Sequence, residues 1–373
     1  NALLIKIYNK NTIFFLIFSS YLLRNYPSFT VLGLVDPSEL GRTLTHEHLS
    51  MEFTHFYRQP PKEIADKFDT GYVVEKLGYL RQYPYHSRNN LLLNDQDANS
   101  AVLFDMHDFQ QRGGGTIVEN TTEGIKRDVT FLKRVSEETK VHIVAGTGFY
   151  IADTQESNLL KYTEEALYNH MLKELTEGCI DNPSVKAGFM GEIASVWPIK
   201  DFERKAIKAA GELQAQLGFP VSYHPHRVPE APFEIIRLYL EAGGRPDKVV
   251  MSHLDRTISN PETLLEFSDL GTYCQFDLFG TEVSYYQLKN DIYMPSDAQR
   301  IEMVRHLVDN GKVDRILMSH DLHTKHRLIK YGGHGYSHIF SNILPWMKIK
   351  GFSQETIDTI TIQNPARWLA IKI

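Results

Sequence analysis

Cysteine is nearly absent from this chain of 373 residues: Cys179 and Cys274 stand alone, in no CxxC spacing. That scarcity excludes a disulfide framework and a thiolate metal site, and it suits a reducing, cytoplasmic setting. An excess of charge of one sign is also missing. Forty basic against 46 acidic side chains leave a formal charge of −6, with no basic stripe to follow a phosphate backbone, so a nucleic-acid partner is not expected. Long apolar runs are lacking too. The nearest, "IFFLIFSSYLL" over 13–23, follows Lys6 and Lys10 in the order of a signal peptide. It is too short to span a bilayer as a helix and no small-residue cleavage site follows, so no membrane partner is expected. Residues 1–28 are therefore read as an atypical extension, signal-like or disordered and foreign to the rest, the chain opening on Asn1 rather than methionine; residues 29–373 are read as one domain.

What is present is a core-forming composition, 42% hydrophobic and 11% aromatic, and an alternation of short β-rich runs with longer helical patterns. The runs fall at 42–51, 115–120, 142–146, 187–193, 220–224, 248–253, 272–276 and 315–319. Amphipathic stretches separate them, such as 163–178 and 201–218, the second opening on Asp201 as N-cap and closing on Gly218. Eight strands alternating with helices predict a TIM (β/α)8 barrel, whose functional residues belong at the C-terminal ends of the strands.

The sixteen histidines give that expectation content. In "TLTHEHLSMEF", His46 and His48 are two residues apart on a predicted strand, so both rings point the same way and can converge on one cation. Glu192 in "AGFMGEIASVWP", His224 in "FPVSYHPHR", His253 in "KVVMSHLDR" and Asp321 in "DRILMSHDLH" each close a later run. Singly, each has a plainer explanation: an ion pair for the glutamate, core hydrogen bonds for a histidine. Jointly they fall at one end of one barrel. Carboxylate and imidazole without thiolate suit Zn²⁺, with Mn²⁺ or Co²⁺ on the same geometry, and six donors are more than one catalytic zinc takes. Two divalent ions sharing a bridging carboxylate need about this set.

The motifs "TLTHEHL", "GEIASVWP", "YHPHR", "MSHLDR" and "SHDLHTKHRLIKYGGHGYSHI", in this order, resemble the phosphotriesterase-related branch of the amidohydrolase superfamily, from about residue 29 to the C-terminus. The resemblance implies a binuclear centre in which His46, His48 and Asp321 hold one metal, His224 and His253 the other, and Glu192 bridges them. Phosphotriesterases use a carboxylated lysine as the bridge; here Glu192 takes that place and Lys186 lies too early to reach, which argues against efficient organophosphate hydrolysis. The implied reaction is hydrolysis by a metal-activated water, with Asp321 as proton shuttle and His253 or Asp255 steadying the developing charge; an Asp255–Arg256 ion pair is the other reading of that aspartate. Basic residues after the fifth and eighth strands, His226, Arg227, His323, Lys325, His326 and Arg327, form an expected cationic rim for a small anionic substrate. The branch implies an N-acylated amino or sulfonic acid such as N-acetyltaurine; ester, lactone or phosphoester hydrolysis and a catalytically silent metal-binding scaffold are the alternatives. A homodimer is left open.

Overall fold

The computed structural model describes residues 26–69, 71–283 and 286–372, so the expectation for residues 1–25 lies outside the described residues. Two short strands come first, β1 (Ser28–Thr30) and β2 (Gly33–Val35), paired antiparallel. Eight more follow: β3 (Arg42–Glu47), β4 (Gly114–Glu119), β5 (His142–Thr147), β6 (Phe189–Ala194), β7 (Val221–His224), β8 (Val249–Met251), β9 (Tyr273–Phe276) and β10 (Ile316–Met318). They form one parallel sheet in sequence order, β3 through β10, the expected barrel. Ser28 thus belongs to the hairpin and not to the extension. The hairpin was not expected; it packs on the N-terminal face, where Val31 N donates to Ile143 O at 2.8 Å and Phe29 O comes so close to Gly188 that any Cβ there would collide.

Period-two alternation decides what each strand sends into the lumen. Val118, Val144, Val250, Tyr273 and Leu317 form an apolar floor closed by Trp368 from the C-terminal helix Asn364–Leu369. One step further along the strands the lumen turns polar. Ser222, Ser252 and Gln275 bond to one another, Ser222 Oγ to Ser252 Oγ at 3.2 Å and Gln275 Nε2 to Ser252 Oγ at 3.0 Å. Another step brings Asp277 and Asp321 to the rim. The helices cover the outside through apolar stripes: in Asp201–Leu217 the buried positions include Phe202, Ala206, Ile207, Ala210 and Leu213. Its N-cap is Lys200 and not Asp201, because the Glu203 carboxylate accepts from Lys200 N at 3.1 Å. The expected C-cap, Gly218, adopts a left-handed φ of 75°.

The seam between β10 and β3 closes without a regular ladder. Glu47, the residue between the two opening histidines, is fully buried and accepts from Ser319 Oγ (2.7 Å), His320 N and Nδ1 (2.8 Å each) and Leu322 N (3.0 Å). Asp321 N completes the seam by donating to His46 O at 3.1 Å. Among the described residues no helix is long and apolar enough to cross a membrane.

Candidate metal centre

His46 sits on β3 with His48 one residue past it; Glu192 is on β6, and His224 ends β7. His253 lies two residues beyond β8 and Asp321 three beyond β10, both at positive φ (58° and 50°). A non-glycine residue in that region is uncommon and is held there by its surroundings. Here the holding bonds are His253 N to the Asp277 carboxylate at 3.1 Å and Asp321 N to His46 O at 3.1 Å. All six side chains are buried and converge.

The two oxygens of Glu192 stand at the middle. Oε2 is 2.8 Å from His224 Nδ1, 3.4 Å from His46 Nε2 and 3.6 Å from His253 Nε2, while Oε1 is 3.5 Å from His48 Nε2. Asp321 Oδ1 adds contacts of 3.2 Å to His48 Nε2 and 3.7 Å to His46 Nε2. The ligand atoms of His46, His48 and Glu192, and separately those of Glu192, His224 and His253, lie within 4.8 Å of one another. Each set could hold one cation.

The far nitrogens settle which way the rings are protonated. His253 Nδ1 is 2.7 Å from Asp277 Oδ1; His48 Nδ1 is 2.9 Å from Thr121 Oγ1, which itself donates to Glu119 at 2.6 Å; His46 Nδ1 is 3.0 Å from Ser252 Oγ and 3.3 Å from Asp277 Oδ2. With an acceptor beyond each Nδ1, a neutral ring keeps its proton there and turns the Nε2 lone pair to the centre, as in metal-binding imidazoles; His48, which burial would lower but Asp321 chiefly raises to about 9, must first lose its second proton. His46 Nε2 is buried with no hydrogen-bond partner, and His224 Nδ1 and His253 Nε2 approach to 2.8 Å. A buried orphan nitrogen and two imidazole nitrogens crowding one carboxylate are what a cation resolves. Burial lowers His46 and His253 to about 4 and pushes His224 well below its usual value, so these rings are neutral donors. The residues fit a pair of divalent ions. The set His46, His253 and Asp277 also clusters, but Asp277 meets the outward nitrogens of both rings and so orients them.

A cavity of about 30 Å³ opens beside the cluster, lined by His224, Asp321, His323, Arg227, Arg256 and Tyr286 among others. The expected cationic rim divides here. His323 is in place, its Nδ1 2.7 Å from Asp321 O and 3.3 Å from Oδ2, its Nε2 3.1 Å from Tyr85 Oη. Burial alone would raise Asp321, but His323 and then His48 hold it well below the carboxylate range. Arg227 also lines the cavity. His226 does not, and burial with Arg227 nearby lowers it to about 4, leaving it uncharged. Lys325 departs from expectation: it turns outward to Asn89 Oδ1 (2.9 Å) and the Asp95 carboxylate. His326 Nδ1 is taken by Asn90. Arg327 donates to the carbonyls of Asp321 (2.6 Å), His320 (2.7 Å) and Phe279 (3.0 Å) and braces the loop that carries Asp321.

Two more departures concern "HLDR". The Asp255 side chain pairs with Arg300 Nε at 2.9 Å and accepts from Leu278 N, so it neither reaches the centre nor pairs with the Arg256 guanidinium. Arg256, unforeseen in the sequence, faces the cavity instead, with Nη2 3.2 Å from His224 Nε2. Asp277, Thr121 and Glu119 were also missed; Asp277 carried a signal, standing one residue past a strand in "CQFDLFG". Lys186 is exposed ahead of β6, away from the cluster.

Comparison with known proteins bears on this geometry. The sequence profile of the Phosphotriesterase family matches residues 28–369. Phosphotriesterase-related proteins of Drosophila mojavensis and Drosophila melanogaster are each 52% identical to the chain over 342 residues, 91% of this chain and 98% of theirs. Among solved structures, a resiniferatoxin-binding protein from Rhodobacter sphaeroides superposes with a TM-score of 0.88 at 28% identity, covering 93% of this chain and 96% of that one. The phosphotriesterase homology protein of Escherichia coli, complexed with phosphate in its active site, gives 0.72 at 26% identity over 89% and 99%. A PTE-like lactonase variant from Deinococcus radiodurans gives 0.70 at 25% identity over 92% and 99%.

Proposed function

The chain belongs to the phosphotriesterase family, whose members include metal-dependent hydrolases, and from that membership and its site we propose that it hydrolyses the amide bond of a small N-acylated amino or sulfonic acid, with N-acetyltaurine as the leading candidate. One observation carries the metal-dependent part of this reading: four imidazole nitrogens converge on the two oxygens of Glu192 while hydrogen bonds occupy the outward nitrogens of His46, His48 and His253. His46, His48 and Asp321 would hold one divalent ion, His224 and His253 the second, and Glu192 would span both; neutral imidazole with carboxylate favours Zn²⁺. Bound there, the ions supply a water acidic enough to be a nucleophile near neutral pH and an electrophile for the substrate's carbonyl or phosphoryl oxygen.

The chain's own groups do the rest. Asp321 rests ionised, the form that accepts the proton the water loses, and from the cavity wall it can deliver that proton to the leaving nitrogen. His323 fixes its rotamer through Oδ2. The cationic Arg227 in the cavity wall favours an acidic substrate.

Lactone, ester or phosphoester hydrolysis is the second reading, favoured by the Deinococcus lactonase fold, and binding without turnover the third, favoured by the Rhodobacter protein's name. A panel of N-acetylated amino and sulfonic acids, lactones and aryl phosphotriesters, with and without chelator, separates them. Chelator-sensitive turnover confined to the acylated acids is the expected result. Lactone turnover alone would move the assignment to the second reading, and no turnover with metal bound would move it to the third.

A further inference from the structure

We propose that Arg256 and Arg227 form an oxoanion-binding subsite beside the metal centre, shaped for the carboxylate or sulfonate tail of a small ligand. The proposal takes from the hydrolase reading only that this tail belongs to the substrate.

Arg256 is 5% exposed and lines the cavity from the short helix Leu254–Thr257. Its protein contacts are thin: Nη2 lies 3.2 Å from His224 Nε2 and 3.3 Å from Pro225 O, and Nη1 lies 3.2 Å from Thr257 Oγ1. The first of these contacts is weaker than its length suggests. If His224 offers Nδ1 to the centre as a neutral ring, its Nε2 bears the proton and cannot accept from a guanidinium. Arg227 donates Nε to Tyr286 Oη at 2.8 Å, its Cζ 5.5 Å from that ring's centroid, and leaves the rest of its fork to the cavity. Among the described residues neither arginine forms an ion pair.

Of the two, Arg256 is buried and Arg227 half-buried, and other arginines with buried side chains are treated differently. Arg127 meets Glu174 and Asp181 at 2.6 Å each, and Arg300 meets Asp255 at 2.9 Å and Asp297 at 2.8 Å. Arg327 has no carboxylate but is met by three carbonyls. A buried cation without an ion pair is costly: the acidic group that Arg256 feels, Asp277, is already engaged by His46 and His253, and the half-buried Arg227 in the same wall repels it. The planar fork of arginine matches an oxoanion bidentately, so an anionic ligand in the cavity supplies the missing charge and satisfies the free donors together.

The placement has consequences for substrate choice. Arg256 touches the ring of His224, whose other nitrogen faces Glu192, so the subsite is one imidazole away from the reacting centre. The acid group of a ligand held there lies only a few atoms from the bond that is cleaved. A neutral phosphotriester offers these guanidiniums a phosphoryl acceptor but no counter-charge.

The test measures binding without turnover. Acetate, methanesulfonate and the neutral isostere dimethyl sulfone are titrated calorimetrically into the full chain as purified, its metal content measured, and into Arg256→Met, Arg227→Met and Arg227→Lys. Both anions should bind and the sulfone should not. Each methionine variant should weaken anion binding roughly 10- to 100-fold, the scale of losing a charge-assisted hydrogen bond, and Arg227→Lys should recover part of it. Arg227→Met decides the matter if Arg256→Met does not fold. Anion affinity unchanged by Arg227→Met would put the anion on the metal ions and overturn the proposal, as would equal binding of the sulfone. Anion binding that follows the arginines in a protein with no hydrolytic activity would leave the subsite standing while the hydrolase reading falls.

Discussion

Replacing Glu192 by glutamine removes one charge and almost no volume from the middle of the cluster. The carboxylate sits within 2.8–3.6 Å of all four histidines, whereas the barrel core is built from other side chains. Stability and metal binding should therefore part company. Without metal, the neutral amide is cheaper to bury than a carboxylate but no longer faces the protonated His48, 3.5 Å away, so Glu192→Gln should keep its fold and unfold somewhat below the parent at pH 7. With metal, the bridge has lost its charge. Groups that merely orient metal ligands are worth about 10- to 100-fold in metal affinity, so a bridging ligand should reach at least the upper figure. At a free metal concentration about 100 times the parent's dissociation constant, each site stabilises the parent by about 2.7 kcal/mol; a 100-fold weaker site leaves about 0.4 kcal/mol under the same conditions. For a chain of this size about 1–2 °C accompanies each kcal/mol, so the metal-induced rise in melting temperature should shrink by about 3 °C per site. Thermal unfolding with and without metal, beside elemental analysis after dialysis against a weak chelator, gives both quantities. A variant that keeps the parent's metal content and metal-induced shift would refute the bridging role.

Asp321→Asn keeps an oxygen near His48 but cannot take a proton, so turnover should fall roughly 10²- to 10⁴-fold, with metal content checked in the same preparation; near-normal turnover removes the shuttle. His48 predicts proton release on metal binding: burial alone would lower it, but Asp321 and then Glu192 raise it to about 9 in the metal-free protein, above the ordinary 6.5. Its stabilising contribution is fully present below about pH 6.5 and is lost as pH rises through about 9, and at pH 7 a cation must displace its proton. Calorimetry at pH 7 in buffers of differing ionisation enthalpy should find about one proton released from this ring per chain, and none released would contradict the assignment. Lys325→Met should lower stability by about 1–2 kcal/mol through loss of the Asn89 and Asp95 contacts and leave KM unchanged; a raised KM at unchanged stability would restore Lys325 to the substrate rim.

The donor set was legible because strand alternation is a local rule. Tyr273 and Gln275, or Leu317 and Ser319, follow one another inward by counting in twos, so a polar residue closing an apolar run falls at the mouth of the barrel, where a left-handed backbone three residues past β10 then carries Asp321. The cationic rim was not legible in the same way. Where a loop side chain turns depends on distant partners: Lys325 goes to Asp95, 230 positions earlier in the chain, and Arg327 folds back on the carbonyls of its own loop. "HLDR" misled for a related reason. Adjacent residues on a helix do not face each other, so Asp255 and Arg256 diverge, one to Arg300 and the other to the cavity.

Glu47 shows how both kinds of rule meet at one motif. Alternation that brings His46 and His48 to a common point must send the residue between them the opposite way, into the wall where β3 meets the end of β10. A carboxylate buried there needs several donors, and it finds them in Ser319, His320 and Leu322, on both sides of Asp321. The glutamate that closes the barrel thus holds the loop carrying Asp321 against the strand carrying His46 and His48. Three donors proposed for one cation come from opposite ends of the chain, and the residue that keeps them in register is the one the histidines leave between them.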